Sequence, residues 1–311
     1  MSKKVTVFGS FVVDLMGRGK KLPVPGETVK GDFFKSGPGG KGFNQGVAAH
    51  KAGANVKMIT KLGKDDFANV ALDAMNEINL STDYVFYSEE QPTGIALIMV
   101  EDTSSENQIL VVPGACDDIT EEDIESVREQ IIESDFLLTQ LETNIDSIEK
   151  VIDIAYENNV KVILNTAPIQ PVSDEVLSKT YIVTPNEVEA EVITGVRITD
   201  LESAKKAAVV FKEKGVSNVI ITLGSRGVFV SADEYEEIVP AYKVNAVDTT
   251  GAGDAFNGGF LAALSEGKSI YEAVIFGNVV GALSVQKIGT TPAMPTREEI
   301  YEFISVEGIE I

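Results

Sequence analysis

The chain has 311 residues, 44% of them hydrophobic, which gives a sizeable core and excludes bulk disorder. Its 26 Lys and Arg stand against 48 Asp and Glu, a formal net charge of −22. That balance excludes nucleic acid and anionic membrane surfaces, whose binding rests on Lys and Arg near phosphates, but leaves open a small phosphorylated ligand held by backbone amides.

In chain order, Lys3 and Lys4 precede an apolar run at 5–8. Asp14 and Arg18 interrupt what would otherwise look like a leader peptide, so the run reads as a buried first strand and the chain as cytoplasmic. Residues 11–36 place Pro23, Pro25 and Gly26 between possible strands. The run Gly37-Pro38-Gly39-Gly40-Lys41-Gly42-Phe43-Asn44-Gln45 then leads into a helix predicted over 44–52. No Ser or Thr follows Lys41, so this is not a Walker A loop. It is either a plain turn or one that carries Lys41 and Asn44 to grip polyhydroxyl groups. His50, the single histidine, falls late in that helix and excludes a multi-His metal site.

A strand at 56–60 and a helix at 67–78 follow. Residues 84–88, 93–101 and 108–112 read as strands with no helix between them. Together the insertions at 11–36 and 84–112 predict a small separate sheet, either a lid or irregular edge structure. Cys116 is the single cysteine, so no intramolecular disulfide forms. The acidic stretch 117–125 opens a helix predicted over 121–132, complementing its dipole. A strand at 136–139, a helix at 145–157 and strands at 160–164 and 181–184 continue the alternation.

After that last strand, Asn186 and Glu189 lie on one face of an opening helical turn. They are an N-cap with its capping-box partner, or an amide and a carboxylate beside hydrated Mg²⁺. A helix at 201–214 carries an apolar stripe of Ala204, Ala208, Val209 and Phe211. The strand at 219–222 runs into Thr222-Leu223-Gly224-Ser225-Arg226-Gly227, a hairpin turn or a nucleotide loop at a carboxyl strand end. Helices are predicted at 252–266, 270–285 and 297–303. The apolar run 273–285 is too short to span a bilayer and contains Asn278.

Short, continuously apolar strands alternating with helices predict an α/β fold: a doubly wound, mostly parallel sheet with helices on both faces, plus the small sheet, in a single domain 1–311. The most informative segment is Asp248-Thr249-Thr250-Gly251-Ala252-Gly253-Asp254 at the start of the helix that holds Gly258 and Gly259. Glycines let the backbone approach a ligand, and a helix start offers unpaired N–H groups. Asp254 is either a base beside an anion hole of the Ala252 and Gly253 amides, or an acid that complements the helix dipole.

Taken in this order, the segments resemble the ribokinase-like carbohydrate kinases, the PfkB family, over nearly the whole chain. Gly39-Gly40-Lys41-Gly42 with Asn44 is similar to the family's first signature. Asp248-Thr249 with Gly251-Ala252-Gly253-Asp254 is similar to its second. The resemblance implies ATP-dependent phosphorylation of a primary hydroxyl. Ribose is the first candidate acceptor; another pentose, a deoxy sugar, a hexose or a nucleoside is the alternative. It implies Asp254 as base and Gly251, Ala252 and Gly253 as the anion hole, with Asp14, Gly40, Lys41, Asn44 and Glu142 on the sugar. It places Asn186, Thr222, Gly224, Ser225, Gly227, Gly253 and Asn278 on ATP, and Glu189 near Mg²⁺ through water. Asp248, with carbonyls of Thr250, Ser284, Lys287 and Gly289, would hold K⁺ or a similar monovalent cation. A homodimer through the lid is also implied. Two departures stand out: Val12 replaces an Asn and Ala293 a Ser of the family pattern.

Overall fold

The computed structural model describes residues 3–102 and 106–311. Its elements are β1 (Val5–Phe8), β2 (Val12–Gly19), β3 (Phe33–Gly39), α1 (Lys41–Lys51), β4 (Val56–Gly63), α2 (Ala68–Glu77), β5 (Val85–Ser88), β6 (Thr93–Glu101) and β7 (Asn107–Gly114). Then come α3 (Glu121–Ser126), α4 (Arg128–Ile132), β8 (Phe136–Thr139), α5 (Ile145–Glu157), β9 (Lys161–Leu164), α6 (Asp174–Ser178), β10 (Ile182–Val183), α7 (Glu187–Thr194) and α8 (Leu201–Glu213). The chain closes with β11 (Asn218–Thr222), β12 (Val228–Ala232), β13 (Tyr235–Val239), α9 (Ala252–Ser265), α10 (Ile270–Ser284) and α11 (Arg297–Glu307).

Among the described residues, nine strands form the main sheet in the order β13-β12-β11-β10-β9-β8-β1-β4-β5. β5 to β11 run parallel, and β12 and β13 add an antiparallel hairpin at one edge. Alternate side chains of the central strands feed two cores. Val5, Val7, Phe136 and Leu138 join one with α1, α9 and α10, while Phe8 and Leu137 join the other with α5 and α8. β1 lies between β4 and β8, so the chain winds outward on one side of β1 and restarts on the other. At such a switch point the loops beyond the carboxyl ends part and leave a crevice.

The second sheet has the order β3-β2-β6-β7. Val85–Ser88, expected in the same insertion, instead pairs in parallel with β4 in the main sheet. The α2 crossover supplies the long connection that parallel pairing requires, so the inserted strands begin at Thr93. Residues 103–105 of that insertion lie outside the described residues. The helix expected over 121–132 is divided at Val127. There Ser126 Oγ donates to the Asp123 carbonyl at 2.6 Å, a side-chain bond that competes with helix propagation. No helix among the described residues is long and apolar enough to cross a membrane.

α9 is buried almost throughout, and its glycines set its distance to both neighbours. A Cβ on Gly258 would lie 2.4 Å from Ala48 Cβ and 2.6 Å from the Gln45 carbonyl oxygen; one on Gly259 would lie 2.5 Å from Val280 Cγ2. The backbones of α1 and α9 are thus held close, which brings the first turn of each helix to the crevice.

Candidate active site

Gly40 caps α1 with a φ of 90°, where a Cβ would sit 2.9 Å from the backbone of Phe11 and Val12. The glycine turn therefore ends against β2 and α1 begins at Lys41, three residues earlier than expected. The Lys41 N–H donates to Glu142 Oε2 at 2.7 Å, and Ser10 Oγ donates to the same oxygen. Glu142 follows β8, so this bond ties α1 to the switch point.

Gly251, with φ 76°, caps α9, and Asp254 sits in its first turn, 8% exposed. Asn44 Nδ2 donates to Asp254 Oδ2 at 3.1 Å and Gln45 Nε2 to Oδ1 at 2.9 Å. Burial pushes the Asp254 carboxyl above its ordinary value; the Lys41 charge and the two amide bonds oppose this, and the Glu142 charge adds to it. Asp14 on β2 is raised to about 6, first by burial, then by the Glu142 charge, with a bond from Thr290 acting the other way. Burial disfavours the Lys41 ammonium, but Asp254, Glu142 and Glu189 together hold it above the usual lysine value. The ammonium thus stays charged among three carboxylates.

Lys41, Asn186, Glu189, Thr222, Gly251, Ala252, Gly253 and Asp254 line one polar chamber of about 210 Å³. It shares Asn186, Thr222 and Gly253 with a cleft of about 880 Å³ whose walls also include Gly224, Ser225, Gly227 and Asn278. The Thr222–Gly227 segment turns β11 into β12, as its hairpin reading expects, and it also walls the cleft. Its Gly227 has φ 105°, and a Cβ there would lie 2.0 Å from the Val239 carbonyl oxygen. Of the three residues expected in the anion hole, Gly251 caps α9 and the Ala252 amide donates to the Thr249 carbonyl at 3.2 Å. The Gly253 N–H lies in the first turn, where the helix itself offers no acceptor.

Asn186 and Glu189 form a capping box. Asn186 Oδ1 accepts the N–H groups of Val188 and Glu189, and Glu189 Oε2 accepts the Asn186 N–H at 3.0 Å. Asn186 Nδ2 and Thr166 Oγ1 also donate to the carboxylate, which is 5% exposed. Asp248 lies apart from the chamber walls. Its oxygens accept the Thr250 N–H at 3.0 Å and the Gly289 N–H at 2.9 Å, and despite its partial burial these bonds hold its carboxyl below the ordinary value. The Ser284 carbonyl accepts the Lys287 N–H, and the Lys287 side chain pairs with Glu299.

Several polar residues of the site carried no motif. Gln45, Gln140, Asn165 and Thr291 are buried and bond into the Asp254 surroundings; Thr291 Oγ1 donates to Asn44 Oδ1 at 2.7 Å. Gln45 stands beside Asn44 in the glycine run, the one signal that could have marked it.

A model of the pfkB family of carbohydrate kinases matches residues 2–297. The chain is 44% identical over 304 residues to a ribokinase of Haemophilus influenzae, covering 98% of this chain and 99% of that protein. It is 34% identical over 303 residues to a deoxyribokinase of Salmonella typhimurium, covering 97% and 99%. The solved structure of Arabidopsis thaliana ribokinase complexed with ribose and ATP superposes with a TM-score of 0.89 at 29% identity, covering 98% and 99%.

Proposed function

Because the chain belongs to the pfkB family of carbohydrate kinases, an ATP-dependent class, we propose that it phosphorylates the primary hydroxyl of ribose. The observation that carries this reading is Asp254: a buried carboxylate in the first turn of α9, bonded to Asn44 and facing the chamber shared with Lys41. We assign Asp254 as the base that orients and deprotonates the attacking hydroxyl. Asp14, Asn44, Glu142, Lys41 and the Gly40 turn hold the sugar. The Gly253 amide and the start of α9 stabilise the phosphoryl charge, while the larger cleft between Gly224–Gly227 and Asn278 takes the nucleotide.

The donor set at Glu189 fits Mg²⁺ at one remove: its oxygens are engaged by protein donors, yet it faces the chamber, so it would organise water around a phosphate-bound ion. Mg²⁺ supplies charge neutralisation on the phosphates when bound. We assign the monovalent cation to Asp248, kept ionised by two backbone amides, with the carbonyls of Thr250, Ser284, Lys287 and Gly289 as its further ligands. The second sheet acts as a lid that excludes water, because it carries Asp14 and its β2–β3 edge runs directly into Gly39. We place the enzyme in the cytoplasm as a homodimer joined through this sheet, whose Phe34, Ile109 and Leu110 are 68%, 53% and 60% exposed.

Val12 favours 2-deoxyribose as a second acceptor. It is 3% exposed, between Gly39 and Gly94, and offers no donor where the family resemblance implies an amide. ADP release with ATP, Mg²⁺ and K⁺ across pentoses, hexoses and nucleosides tests both statements. Ribose is expected to give the highest kcat/KM, with 2-deoxyribose within about 100-fold rather than the roughly 10⁴-fold loss seen when a buried donor is left unpaired. No turnover with any acceptor would overturn the assignment.

A further inference from the structure

Gln45 is fully buried, and every polar atom of its side chain is used. Nε2 donates to Asp254 Oδ1 at 2.9 Å and to Asn165 Oδ1 at 3.0 Å, and Oε1 accepts from Gln140 Nε2 at 2.7 Å. An amide can be turned end for end, so the sense of such a chain needs an anchor. Here the anchor is the Thr184 carbonyl, which can only accept. Asn165 Nδ2 donates to it at 2.8 Å, so Asn165 must present its oxygen to Gln45. Gln45 must therefore present its NH₂ group to both Asn165 and Asp254, and its oxygen to Gln140. The cost appears at the far end, where Gln140 Oε1 is buried without a partner. An apolar residue at 140 would avoid that cost, so the retained amide points to its one bond, the donation to Gln45.

We propose that Gln45 is a positioning residue for phosphoryl transfer, wired by Asn165 and Gln140 so that it holds the Asp254 carboxylate in one rotation and as a hydrogen-bond acceptor. This rests on Asp254 being the base. An N–H fixed against Oδ1 opposes protonation there and stops the carboxylate from turning about its Cβ–Cγ bond, and positioning errors of about 1 Å cost roughly 100-fold in rate. The other charged groups that act on Asp254 are Lys41 on α1, Asp14 on β2 and Glu142 after β8. None of them is altered in the test.

The test compares kcat and its pH dependence for the wild type, Gln45→Met, Gln140→Leu and Asp254→Asn. Gln45→Met keeps the volume and removes the donor. It is expected to lower kcat about 10–100-fold, to move the acidic limb of the kcat profile up by about one pH unit, and to leave both KM values within about threefold. Gln140→Leu, one link further out, is expected to move the limb the same way by less. A purely structural role would lower the melting temperature and leave the limb in place, so an unmoved limb in Gln45→Met overturns the proposal. If Gln45→Met does not fold, an unmoved limb in Gln140→Leu does so. An inactive Asp254→Asn beside an unaffected Gln45→Met defeats the positioning role alone, whereas wild-type turnover in Asp254→Asn defeats the base assignment beneath it.

Discussion

Asp14 carries a cost that can be measured. Burial and the Glu142 charge disfavour its ionised form and push its carboxyl up to about 6, well above the ordinary aspartate value of about 4. The folded state therefore binds the proton more tightly, and its stability falls as pH rises from about 4 to about 6. Above that window the penalty is fully present, on the order of 2–3 kcal/mol. Asp14→Asn is thus expected to be more stable than the wild type at pH 8 by an amount of that order, with the gap closing toward pH 4, while kcat/KM for the sugar falls. Urea denaturation at the two pH values checks this; equal stabilities at pH 8 would remove the cost. The same residue shows what a sequence can reveal. Lys41, Asn44 and Asp254 stood out as candidates because each stands in or beside a glycine-marked turn, whereas Asp14, on β2, came only from the family resemblance. Gln45, Gln140, Asn165 and Thr291 did not stand out, because their roles come from partners such as the Thr291–Asn44 pair, 247 residues apart.

At the scale of elements, the contact between α1 and α9 decides whether Asn44 and Gln45 reach Asp254. Alanine in place of a helix-interior glycine ordinarily gains about 1 kcal/mol. At Gly258 the sign is expected to reverse, because the new Cβ would meet Ala48 Cβ at 2.4 Å and backbone atoms of Gln45 and Ala49 at 2.6 and 2.7 Å. Gly258→Ala should lose about 1–3 kcal/mol and reduce kcat through displacement of α1. A denaturation midpoint at or above wild type would show that the interface has room. The parallel strands were readable because burial on both faces makes them continuously apolar, as in Val5–Phe8 and Phe136–Thr139. The β12–β13 hairpin was not read, since Tyr235, Glu236 and Glu237 lie on an exposed edge where no apolar run is required. Val85–Ser88 was drawn into the wrong sheet because a short apolar strand carries no mark of its partner; only the pairing with β4 decides it.

At the scale of the whole molecule, the small sheet leaves a cluster of apolar side chains uncovered by its own chain. Leu97 pairs with Leu110 on one face, while Ile109 and Val111 share the other with Asp14, and all four apolar side chains are at least 39% exposed. Both faces are thus apolar beyond the crevice, which fits a second copy of the sheet as their cover. Leu110→Asp is expected to shift the protein from dimer to monomer in sedimentation equilibrium, with a raised KM for the sugar as the lid loses support. A wild-type protein that sediments as a monomer at micromolar concentration would refute the dimer.

The hydrogen bond between Thr290 and Asp14 joins residues 276 apart. Asp14 leaves the ribosome 276 residues before Thr290, so at roughly 5–20 residues per second the acid waits about 15–55 s for its partner. For most of that interval the glycine turn and β1 have no α9 to close over them. The nascent chain therefore spends most of its synthesis with an apolar central strand and an unfinished pocket in the open. A product cut short before α9 therefore carries most of the central sheet's apolar surface and lacks Asp254, the residue proposed as base.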